Sequence, residues 1–108
     1  MSEKWDAKGH LGAAAGRLRA ALLSSGMADT HVYRDLCSRL EEMAFSPQLN
    51  ISDAVWLRAE AAVIEKREGW LRSAGVTGRG SPLSLAALDA TEDMLAAATL
   101  IERASHRT

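Results

Sequence analysis

The chain predicts an all-α protein folded as an antiparallel four-helix bundle, and three observations carry that expectation. Apolar residues make up 47% of the 108, yet aromatics only 5%, and alanine supplies much of the remainder. Alanine is the best helix former and adds little volume, so this composition favours closely approached helices over a thick aromatic core. No stretch alternates apolar and polar residues at the period of a strand, so a sheet is not expected. Four segments carry apolar residues at helical spacing, and the connections between them are short enough to set sequential helices side by side. The length suits one domain spanning 1–108, which on folding buries roughly two-thirds of its unfolded surface without a metal or disulfide.

The first helix is expected over residues 5–24, with Ser2, Glu3 and Asp6 signalling its start and Gly26 its stop. Ala7, Leu11, Ala14, Leu18, Ala21 and Leu22 share one face. Gly9, Gly12 and Gly16 weaken it, at about 1 kcal/mol each relative to alanine. Gly12-x-x-x-Gly16 leaves two bare spots one turn apart, which predicts a close helix crossing inside the bundle. The second helix is capped by Asp29 or Thr30. It presents Val32, Tyr33, Leu36, Cys37, Leu40, Met43 and Ala44 as one stripe and ends by Phe45, ahead of Ser46-Pro47.

Asn50 or Ser52 caps the third helix, expected over 53–74 and closed by Gly75. Leu49 and Ile51 are expected to fold back as a staple. Trp56, Ala59, Val63, Ile64, Trp70 and Leu71 are expected to share the core face, and the two tryptophans supply bulk that an alanine-rich bundle otherwise lacks. Glu60 and Arg67 fall near the middle of that face, about two turns apart, where a simple core stripe has no charge. Glu65, Lys66 and Glu68 are expected to solvate the far side. The connection 75–81 holds three glycines and exposes Arg79; it matches neither GxxxxGK[ST] nor GxGxxG, so it reads as a turn rather than a phosphate loop. The fourth helix opens at Ser81-Pro82 and runs to about Ala104. Its main stripe is Leu83, Ala87, Ala90, Met94, Ala97, Ala98 and Ile101, and a second stripe holds Leu85, Leu88 and Leu95 with Glu92 among them.

Charge and motif content narrow the function. Net charge is −1, from 13 basic and 14 acidic side chains, which argues against a dominant pull toward nucleic acid or anionic lipid. No apolar run reaches the roughly 18 residues of a membrane span, and the N-terminal stretch is unlike a secretory signal. Cys37 is the single cysteine and reads as a small buried thiol in a reducing cytoplasm. Ten arginines against three lysines, with abundant alanine, suit a GC-rich bacterial or phage genome. His10, His31, His106 and Cys37 form no metal-ligand spacing, no histidine stands near a candidate nucleophile, and Glu41-Glu42 lacks the third acid of an EExxE motif because position 45 is Phe45. Neither catalytic residues, nor a metal, nor a cofactor is therefore expected.

The expectation that follows is a small non-catalytic protein-binding module, an adaptor, inhibitor or regulatory subunit, acting in the cytoplasm through an apolar helix face. Its interface candidates are Leu85, Leu88, Glu92 and Leu95 on the fourth helix, and Trp56, Glu60, Arg67 and Trp70 on the third. Self-association as a homodimer through these residues is a second expectation. Two alternatives stand beside it: a nucleic-acid-binding regulator, and a helical-bundle hydrolase in which Glu60, Glu92 and Glu102 converge. The third helix mixes four acids with four bases, which weakens the first of these.

Overall fold

Side-chain caps set the helix boundaries. The computed structural model describes residues 6–25, 30–73 and 82–107, and among these the chain forms four helices and no strand: α1 (Ala7–Ser25), α2 (Thr30–Ala44), α3 (Ile51–Ser73) and α4 (Pro82–Arg107). Asp6 caps α1, its Oδ1 accepting from the Gly9 N–H at 2.9 Å while its carbonyl accepts from the His10 N–H at 3.1 Å. Asn50, not Ser52, caps α3. Its Oδ1 accepts from the N–H groups of Ser52 (3.1 Å) and Asp53 (3.4 Å), and the Asp53 carboxylate accepts in return from the Asn50 N–H at 2.9 Å. This reciprocal box satisfies otherwise orphaned donors and starts the helix at Ile51, two residues before the expected position. Leu49 is half-buried and packs on the core, while Ile51 is exposed in the first turn. The α2 helix closes as the Phe45 N–H donates to the Glu41 carbonyl (3.2 Å) and the Ser46 N–H to that of Met43 (3.1 Å). The expectations for Ser2 and Glu3, for the side chains of Thr30, His31, Val32 and His106, for the turn at Gly26 and Asp29, and for 75–81 lie outside the described residues.

All four helices contribute to one buried cluster. Ala14 and Ala15 of α1 and Ala87, Ala90, Ala97 and Ala98 of α4 are small residues with Leu11, Leu18 and Met94 between them, so α1 and α4 approach closely. The α1 helix also packs on α2, and α3 on α4, as short connections predict. Long side chains span the remaining seam, between α2 and α3. There Tyr33 meets Glu68, and the Arg39 guanidinium lies 5.5 Å from the centre of the Trp56 ring. Residue numbers rise along α2 as they fall along α3, so the two helices run antiparallel. Arg58, near the start of α3, donates to both carboxylate oxygens of Glu102 (2.7 Å each) and to Thr99 (3.1 Å) near the end of α4, which makes that pair antiparallel too. Arg19 pairs with Glu41 across α1 and α2. Asp93 of α4, largely buried, holds His10 (2.8 Å) and Arg17 of α1.

Three expectations are corrected. The buried face of α3 consists of Ala54, Leu57, Ala61, Ile64 and Glu68, whereas Trp70 is 65% and Val63 58% exposed, Ala59 is exposed, and Trp56 is half-buried. Bulk misassigned the face: the alanines, not the tryptophans, allow α3 to lie close on the rest of the bundle. Glu68, expected to solvate the far side, is only 3% exposed. Gly12 and Gly16 are exposed, and among the described residues a Cβ at either position meets nothing within 4 Å, so none of the other three helices crosses α1 there.

Candidate interaction surface

The α3 helix is apolar on more than its core side. Helices of soluble proteins ordinarily carry one apolar stripe about 100° wide, and one that is apolar around most of its circumference needs cover on both sides. Beyond its buried face, α3 presents Val55 (63% exposed), Val63 and Trp70, with exposed Ala59 and Ala62 between them. Trp56, Val63 and Trp70 recur every seven residues, a spacing that drifts only about 20° per step and keeps the three on one line along the helix. Trp56 lies at the N-terminal end of this line, its ring under the Arg39 guanidinium. Val63 and Trp70 stand in solvent.

A polar cluster borders that line. Tyr33 is buried, and its hydroxyl donates to Glu68, a buried carboxylate. Burial pushes the Tyr33 phenol well above the usual tyrosine range, the hydrogen bond to Glu68 and the nearby negative charge push the same way, and Arg67 opposes them. The Arg67 guanidinium lies 6.0 Å from the centre of the Tyr33 ring, with its Nε buried and without an acceptor. Neither Glu60 nor Arg67, both half-buried, has an oppositely charged partner within salt-bridge distance among the described residues.

The eight interface candidates divide between two surfaces. Trp56 and Arg67 meet α2 through Arg39 and Tyr33, half-buried Glu60 lies between them along α3, and Trp70 stands in solvent. Leu85, Leu88, Glu92 and Leu95 belong to α4: Leu85 and Glu92 are exposed, Leu88 is half-buried, and Leu95 packs on the core one turn before Thr99, on the side that Arg58 closes. The two groups therefore lie on opposite sides of α3. Carboxylates once expected to converge are likewise dispersed, with Glu102 held by Arg58 and Glu92 in solvent, whereas Glu60 is on the α2 side. Among the described residues no three His, Cys, Asp or Glu side chains come together as a metal-binding group, and no helix is long and apolar enough to cross a membrane. Cys37 is buried on α2, its Sγ donating to the Ala15 carbonyl at 3.3 Å, and burial raises its pKa, which disfavours the reactive thiolate.

Sequence reasoning missed Val63 as a surface residue, as well as the Tyr33–Glu68 pair. The seven-residue spacing of Trp56, Val63 and Trp70 was the available signal for the first. Nothing in the local pattern marked Glu68, because its partner stands 35 positions away. No protein-family model, curated protein or solved structure matches the chain.

Proposed function

We propose that the protein is a non-catalytic protein-binding module of the cytoplasm whose binding surface is the outer face of α3. One observation carries this reading: Val55, Val63 and Trp70 are each more than half exposed on a helix whose opposite face already fills the core. Large apolar side chains exposed along one side of a helix, bordered by charge, mark association sites. Trp70 is the natural anchor, since tryptophan is enriched among residues that dominate binding energy.

The test is a photo-reactive amino acid at Val63, with Arg34 on the exposed side of α2 as the control position. Irradiation in cells of the native host should join position 63 to another polypeptide and leave position 34 unjoined. Equal yields at both positions, or no product at 63, would refute the assignment.

A further inference from the structure

We propose that the outer face of α3 is occupied by a second copy of this chain, crossing it antiparallel about a two-fold axis at Val63. The inference rests on the protein-binding reading above and names the occupant. Its ground is that the surface is complementary to itself. Trp56 and Trp70 each lie seven residues from Val63, so a two-fold axis there brings Trp56 of one copy opposite Trp70 of the other. Closed two-fold pairs require such a self-matching patch, in which each contact occurs twice.

The charges obey the same operation. Glu60 lies three residues before Val63, while Lys66 lies three and Arg67 four residues after it. Antiparallel crossing therefore sets Glu60 of each copy against Arg67 of the other, two complementary pairs along one edge of an apolar centre. A parallel pairing, whose axis runs along the helices, puts the two copies of Glu60 on opposite edges of the seam and leaves neither an Arg67 partner, so the charge match is specific to the antiparallel crossing. Among the described residues neither Glu60 nor Arg67 has a charged partner at salt-bridge distance, although cross-helix pairs hold Arg17, Arg19 and Arg58. Val63 at the axis is small enough for two helices to approach, and the tryptophans on either side cover the crossing.

Sedimentation velocity of the full chain at tens of micromolar tests the assignment. The wild type should sediment as a dimer. Val63→Glu sets two carboxylates at the axis and should give a monomer with unchanged helical circular dichroism, because this side chain stands outside the core. Glu60→Lys should weaken the dimer by at least roughly tenfold, again without loss of helix. Register is read separately: protein carrying Ala59→Cys, mixed with protein carrying Lys66→Cys under mild oxidation, should form the mixed disulfide in preference to either self-linked product, since only antiparallel crossing brings 59 beside 66. A monomeric wild type, a dimer unmoved by Val63→Glu, or predominance of the self-linked products would overturn the proposal. If the wild type is monomeric while the photo-reactive probe at 63 still captures a different protein, the second-copy assignment alone falls; if that probe also captures nothing, both readings fall.

Discussion

Replacing Tyr33 with phenylalanine removes one oxygen atom and tests the least expected feature of the fold. Glu68 is 3% exposed, and its described hydrogen bond is the one donated by the Tyr33 hydroxyl. Hydrogen bonds to charged groups contribute about 1.5–3 kcal/mol, and a buried carboxylate deprived of its donor bears the upper end of that range. Tyr33→Phe should therefore cost about 2–3 kcal/mol at neutral pH, measured by urea unfolding followed by circular dichroism. Glu68→Leu strands the tyrosine hydroxyl instead and should cost about 1–3 kcal/mol. The double variant removes both partners, and its cost should fall well short of the sum. Additivity of the two single effects to within about 0.5 kcal/mol would refute the coupling on which this account depends. The alkaline limb offers a second reading of the same contact. Because the folded protein holds the Tyr33 proton above the ordinary tyrosine pKa of 10.0, the unfolded chain binds fewer protons there. The contribution is thus fully present below pH 10 and declines as pH rises beyond it, and Tyr33→Phe should remove that part of the decline. Tyr33 is the only tyrosine, so phenolate absorbance titrates it alone, and an ordinary midpoint in the folded protein would contradict its burial.

Other outcomes follow from the same packing. Gly12→Ala and Gly16→Ala should each stabilise the protein by about 0.5–1 kcal/mol, because both sites are helical, exposed and open to a Cβ; a loss of stability in thermal melts would mean that α1 is crossed there after all. Leu57→Ala should cost about 2.7–5 kcal/mol, as expected of a fully buried leucine. Trp70→Ala should leave the stability of the monomer nearly unchanged, and a multi-kcal/mol loss in Val63→Glu protein held monomeric would return Trp70 to the core. Asp93→Ala should destabilise α1 against α4, since it removes the carboxylate that His10 and Arg17 share, whereas Glu92→Ala beside it should be close to silent; equal effects in chemical denaturation would contradict the pairing.

Much of the architecture was legible in the chain because it depends on local rules. Proline at 47 stops α2, Asn50 opens α3, and the main apolar stripes of α1, α2 and α4 are the ones that the core buries. In α3 the rule had two solutions. Apolar residues lie on both sides of that helix, so periodicity alone did not say which side is covered within the chain. The larger residues were the misleading choice: helix packing rewards close approach as well as bulk, and Ala54, Leu57 and Ala61 lie on the close side.

Composition and spacing by themselves determined that this is an all-α chain of four helices, with breaks near 26, 47 and 78, and that α3 carries tryptophans and charges outside a simple core pattern. Only tertiary structure decided what those residues face. Glu68 became a buried partner because α2 brings Tyr33 to it across the wide seam, while Gly12 and Gly16 became solvent-facing because α1 packs through its alanines instead. The physical reason is common to both. Helix formation is governed by neighbours one turn away, whereas burial is governed by which helices meet, and that depends on volumes summed across the whole bundle. The line of Trp56, Val63 and Trp70 was written in the sequence, but Val63 and Trp70 became surface only because the opposite side of α3 fills the core.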